Sequence, residues 1–126
     1  MTIQAKEQNL QTVEVITKLL DEKKAEDMVV LNIEGLSVIA DYFIVCTGRS
    51  VTQVKSLADH VEDTLKQKHN IMAKGIEGTQ EGKWVLLDYG DIIVHVFRQE
   101  EREFYNLERI WADARQIPLD SLLEEK

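Results

Sequence analysis

The chain has 126 residues, 44% hydrophobic and 30% charged, with a single cysteine. That is one ordinary globular domain without disulfide staples, and it excludes the disordered, fibrous and disulfide-framework classes. With 23 acidic against 15 basic residues the net charge is -8, which repels phosphate backbones and excludes direct nucleic-acid readout, so a basic protein surface is the better-matched partner. No apolar run approaches the roughly 20 residues of a membrane span, and the N-terminus lacks the marks of a signal or transit peptide, so the cytoplasm is the expected compartment.

Leu10, Val13, Ile16, Leu19 and Leu20 recur at helical spacing and predict an amphipathic first helix. Met28 to Ile33 and Tyr42 to Thr47 are runs rich in β-branched residues, each closed by a glycine signal, and predict two strands. Ser50-Val51-Thr52-Gln53 has the form of a capping box and opens a second helix, whose stripe is Val51, Val54, Leu57, Ala58, Val61 and Leu65. Between Ile71 and Gly82 the pattern supports a short edge strand and a turn. Trp84 to Asp88 and Asp91 to Phe97 then predict a hairpin around Tyr89-Gly90. Phe104, Leu107, Ile110, Trp111 and Ala114 predict a third helix, ended by Ile117-Pro118. The expected architecture is one two-layer α/β domain over residues 1–118, with a mixed sheet of about five strands and a loosely held tail over 119–126.

Strand alternation sorts the hairpin into two faces. Val85, Leu87, Ile92, Val94 and Val96 form an aliphatic face that belongs under the helices. Trp84, Leu86, Asp88, Asp91, Ile93, His95 and Phe97 form the other, an apolar patch with an aromatic anchor, two carboxylates and a histidine. In a register with Tyr89-Gly90 as the loop, Trp84 faces His95 and Asp88 faces Asp91, a repulsion that a cationic partner relieves. Such a makeup suits a protein interface. The alternatives are that this face packs on another copy of the chain, or that the C-terminal segment covers Trp84.

Catalytic and metal readings are poorly supported. His60, His69 and His95 have no metal-ligand spacing with each other or with Cys46, which sits in an apolar run, so neither a metal nor a cofactor is expected. Gly48-Arg49-Ser50, at a strand-to-helix turn, resembles the Gly-Ser turn of nucleotidyltransferases and offers amides to a phosphate. The paired carboxylates that two-metal chemistry needs are missing after it. An enzyme is therefore not expected; a degenerate nucleotide-binding protein and a self-associating domain are the alternatives to partner binding.

Three segments, Ala40-Asp41-Tyr42-Phe43-Ile44-Val45-Cys46-Thr47-Gly48 with its Ser50 helix start, Leu87 through Phe97, and Phe104-Tyr105-Asn106-Leu107-Glu108-Arg109-Ile110-Trp111, resemble the Iojap family, the bacterial ribosomal silencing factors. The resemblance is collinear from about residue 10 to 115. It implies a fold related to nucleotidyltransferases without their active site. It also implies binding to the large ribosomal subunit at ribosomal protein fourteen, which blocks subunit joining when nutrients are scarce or in stationary phase. The lack of a transit peptide suits a bacterial member, and a homodimer off the ribosome is compatible with the pattern. On this reading Trp84 and Leu86 are apolar anchors, Asp88 and Asp91 acceptors for Lys or Arg, and His95 and Tyr89 additional contacts.

Overall fold

The computed structural model describes residues 3–123. Five helices and six strands follow in the order α1 (Ile3–Glu22), β1 (Glu26–Asn32), β2 (Tyr42–Gly48), α2 (Val51–Lys68), β3 (Gly75–Glu77), β4 (Trp84–Asp88), β5 (Ile92–Arg98), α3 (Gln99–Tyr105), α4 (Leu107–Ile110), β6 (Arg115–Gln116) and α5 (Leu119–Leu123). The strands form one open sheet in the order β3-β4-β5-β2-β1-β6. Among the described strands, neighbours pair antiparallel except β2 and β5, which pair in parallel. They occupy the centre, where every residue from Tyr42 to Gly48 and from Ile92 to Phe97 is buried, as near-continuous apolar runs dictate.

One face of the sheet is covered by α1, α2 and α5. Val13, Ile16 and Leu20 of α1 and Leu57, Val61 and Leu65 of α2 pack there on Ile44, Val94 and Val96. The start of α2 is fixed as its sequence requires. Ser50 Oγ accepts from the Gln53 N–H at 3.1 Å, and the Gln53 side chain accepts from the Arg49 N–H. Gly48 lets the helix come this close, since a Cβ there would lie 2.8 Å from the Val54 side chain.

Three expectations change at the C-terminal end. The predicted third helix is broken: Asn106 takes a left-handed conformation (φ 44°) between α3 and α4, so the apolar stripe from Phe104 to Ala114 does not lie along one helix. The chain then adds a sixth strand, β6, which pairs with Leu31 and Asn32 of β1. Where a loose tail is expected, residues 119–123 form α5 against α1 and β1, with Leu122 only 3% exposed. Residues 124–126 lie outside the described part of the chain.

Candidate functional site

The hairpin register differs from the one expected by two residues. Trp84 pairs with Phe97, Leu86 with His95 and Asp88 with Ile93, and the Tyr89 N–H donates to the Ile92 carbonyl at 2.9 Å, so the loop is Gly90-Asp91. The reason is the glycine: Gly90 has φ 87° and Asp91 does not leave negative φ, which puts the glycine first in the turn, as a type II′ hairpin requires. A slip of two residues keeps the paired side chains on their expected faces, whereas Asp91 leaves the ladder for the loop. The aliphatic face is buried as expected. Asp88 and Asp91 no longer oppose each other. Asp88 Oδ1 accepts from the Gly90 N–H at 2.8 Å and braces the turn, while Asp91 Oδ2 accepts from Asn9 Nδ2 at 3.2 Å.

The other face is partly closed. Leu107, Trp111 and Ala114, beyond the helix break, pack with Leu31, Ile33, Phe43, Ile93 and Phe97 in a second apolar cluster. Trp84 and Leu86 stay half-buried at its open border. His95, expected at the surface beside Trp84, lies beneath it at 4% exposure. Its Nδ1 accepts from Trp84 Nε1–H at 3.1 Å, which places the proton of the neutral ring on Nε2. That Nε2 has no hydrogen-bond partner among the described residues, and burial pushes the imidazole pKa down to about 4, so the ring is neutral at physiological pH. Tyr89 also turns inward, toward the helix-covered core, and burial followed by the nearby Glu62 carboxylate raises its phenol to about 12.

What the arrangement does present is an aromatic ladder. The Trp84 ring stacks on Phe97 at 4.8 Å and meets Tyr105 at 4.7 Å, and Phe104 stands edge-on to Tyr105 at 5.0 Å. Phe104 is 80% exposed. A recess of about 390 Å³ beside Trp84 is lined by Gly78, Glu81, Lys83, Glu101 and Tyr105. Helical spacing predicts Phe104 in a buried stripe; instead α3 ends at Tyr105 and both residues face outward.

Arg102 fixes the position of this ladder, and sequence reasoning passes over it. Its guanidinium is buried; it donates to Thr47 Oγ1 at 2.8 Å and to the Asp27 carbonyl at 2.7 Å, and pairs with Glu108 at 3.1 Å. That bolts α3 to the ends of β1 and β2, one turn before Tyr105. In the run Gln99-Glu100-Glu101-Arg102-Glu103 nothing marks one charge as buried.

The nucleotide reading finds little to use. At Gly48-Arg49-Ser50 the Arg49 and Gln53 amides are already taken by the Gln53 and Ser50 side chains, and Arg49 itself pairs with Glu26 at 3.2 Å. Among the described residues no three His, Cys, Asp or Glu side chains come together as metal ligands, and no helix is long and apolar enough to cross a membrane. Cys46 is fully buried with its thiol raised to about 12, chiefly by desolvation, which makes it inert.

Fold and site together define a single-sheet α/β domain that holds an ordered aromatic patch at the open border of its sheet. The chain belongs to the family described as ribosomal silencing factor during starvation, whose model matches residues 6–126. It is 41% identical over 115 residues to the ribosomal silencing factor RsfS of Halalkalibacterium halodurans, covering 91% of this chain and 97% of that one. It is 46% identical over 100 residues to the RsfS of Bacillus subtilis, covering 79% and 84%. A crystal structure of a protein from Chromobacterium violaceum superposes with a TM-score of 0.78 at 34% identity, over 89% of this chain and 88% of that one. The chloroplast protein Iojap of Zea mays is 34% identical over 82% of this chain and 45% of that longer protein.

Proposed function

We propose that this chain binds the large ribosomal subunit through ribosomal protein fourteen and blocks its joining with the small subunit, repressing translation when nutrients are limiting or in stationary phase. The observation that carries this reading is the aromatic ladder. Trp84 is locked from below by His95, stacked on Phe97 and extended outward by Tyr105 and Phe104, so an anchor of low residual entropy already stands at the surface. Membership of a family described as ribosomal silencing factors supplies the setting. The net charge of -8 favours a basic ribosomal protein over the surrounding phosphates.

In this reading Trp84, Leu86, Tyr105 and Phe104 supply apolar contact, while Asp88 and Asp91 accept hydrogen bonds from Lys or Arg. His95 and Tyr89 act from beneath, the first by holding the indole and the second by packing the turn. No bond is made or broken. A domain of this length has a radius of gyration of about 14 Å, hence a width of about 35 Å, and such a body seated on one subunit's joining face keeps the other outside contact range. The place of action is the cytoplasm.

Calorimetry against isolated ribosomal protein fourteen tests the contact. Trp84→Ala is expected to weaken binding about 30-fold or more. Tyr105→Ser, at a position 44% exposed, leaves the fold intact and is expected to weaken it several-fold. Wild-type affinity in both variants would remove the ladder from the interface.

A further inference from the structure

The loop from β1 to β2 displays apolar side chains where loops ordinarily carry polar ones. Leu36 is 50% exposed, Ile39 66% and Val38 fully so. The backbone beneath them is nonetheless well tied. Leu36 and Ser37 N–H groups donate to the Ile33 carbonyl at 2.9 and 3.1 Å, Ile39 N–H to Ser37 Oγ at 3.0 Å, Glu34 N–H to Asn32 Oδ1 at 3.0 Å, and Ile33 N–H to the Asp41 carbonyl at 2.8 Å. An aliphatic tip held this firmly needs little further ordering to dock.

The loop is also joined to the hairpin turn. The Asp91 carbonyl accepts from both the Asp41 and the Tyr42 N–H, at 2.8 and 3.0 Å. Because β2 and β5 are parallel and start together, at Tyr42 opposite Ile92, Val38 and Ile39 stand at the same end of the sheet as the Asp88 and Asp91 carboxylates. An apolar knob thus sits beside the two turn carboxylates, with the Lys74 side chain lying against Gly90 between them.

We propose that Val38 and Ile39 form a second anchor of the same interface, entering an apolar recess rimmed by Lys or Arg on the ribosomal protein. The proposal rests on the function proposed above and adds to it the residues that engage at the turn end. Charge selects the occupant. A second copy would bring a molecule also carrying a net charge of -8, and nucleic acid would bring phosphates, against the turn carboxylates. Reach permits one partner to hold both ends. From Trp84 to Asp88 the strand runs about 14 Å, and a standard interface of about 800 Å² per side is roughly 30 Å across.

The double variant Val38→Ser/Ile39→Ser tests the knob in the full chain. Its side chains contribute little to the core, so its urea midpoint should match that of wild type, while its affinity for isolated ribosomal protein fourteen by calorimetry should fall about tenfold or more. Ile110→Ser, at the same 66% exposure as Ile39 but on α4, should bind as wild type does. If the double variant binds as tightly as wild type while Tyr105→Ser weakens binding, the knob is refuted and the aromatic ladder stands. Equal losses in Ile110→Ser would overturn it as a general effect of surface apolarity. If the wild-type chain sediments alone as a dimer that the double variant dissolves, the knob serves self-association and the proposal fails. Absence of binding by wild type would sink both this proposal and the function on which it rests.

Discussion

Protonating His95 should loosen both the domain and its aromatic anchor. The ring is buried under Trp84 and accepts that residue's indole N–H on Nδ1, so an imidazolium, with a proton on both nitrogens, loses the bond and is left charged in an apolar cluster. Its pKa falls from 6.5 in the unfolded chain to about 4 in the folded one, the cause being desolvation. Because the folded value is the depressed one, the stabilisation is fully present above pH 6.5 and is lost as pH falls toward 4. At about 1.4 kcal/mol per pH unit the loss totals about 3 kcal/mol, a large share of the roughly 5–15 kcal/mol that holds a domain together. Urea unfolding at pH values from 7.5 down to 4 reads it directly. His95→Gln keeps an acceptor for Trp84 but does not titrate in this window, and its curve should be flatter by that amount. Glu101, held below the usual carboxylate range by its hydrogen bond to Arg98, adds its own loss at lower pH in both proteins. Parallel pH dependence in wild type and His95→Gln would refute the reasoning.

Two further predictions concern the C-terminal segment. Arg102→Ala strips partners from Glu108, Thr47 Oγ1 and the Asp27 carbonyl, and should cost about 3–5 kcal/mol in urea unfolding; Arg102→Lys should recover only part, since one ammonium does not reproduce the guanidinium fork. Leu122→Ala should cost about 2–4 kcal/mol by the same measurement, because α5 closes the core over α1. A loss below about 0.5 kcal/mol would mean that α5 is dispensable.

Sequence carried the fold where local chemistry is decisive. The β-branched runs made β1, β2, β4 and β5 legible, and the Ser50 cap with its following stripe located α2. Alternation sorted the hairpin faces correctly even though the turn was misplaced, because a two-residue slip preserves parity. What failed depended on long-range packing. One residue in the left-handed region, Asn106, splits the apolar stripe of the last helix, so that Phe104 before it and Ile110 after it are exposed while Leu107 is buried. The same split brings the C-terminal segment over the face judged open and sinks His95. Arg102 was invisible within a charged run, and the two-residue β6 is too short for any pattern. Of the aromatic ladder, Trp84 is legible in the sequence as an anchor, whereas Tyr105 and Phe104 beside it are not.

Arg102 sets α3, α3 sets Tyr105, and Tyr105 with His95 holds Trp84 at the border of the sheet, the position proposed for contact with a basic partner. The most direct measurement is co-sedimentation of the purified chain with separated ribosomal subunits, followed by mixing of the two. The account predicts binding to the large subunit alone, a loss of joined ribosomes as the chain is added, and neither effect with Trp84→Ala. Binding to the small subunit, or joining that proceeds unchanged at saturating chain, would contradict it.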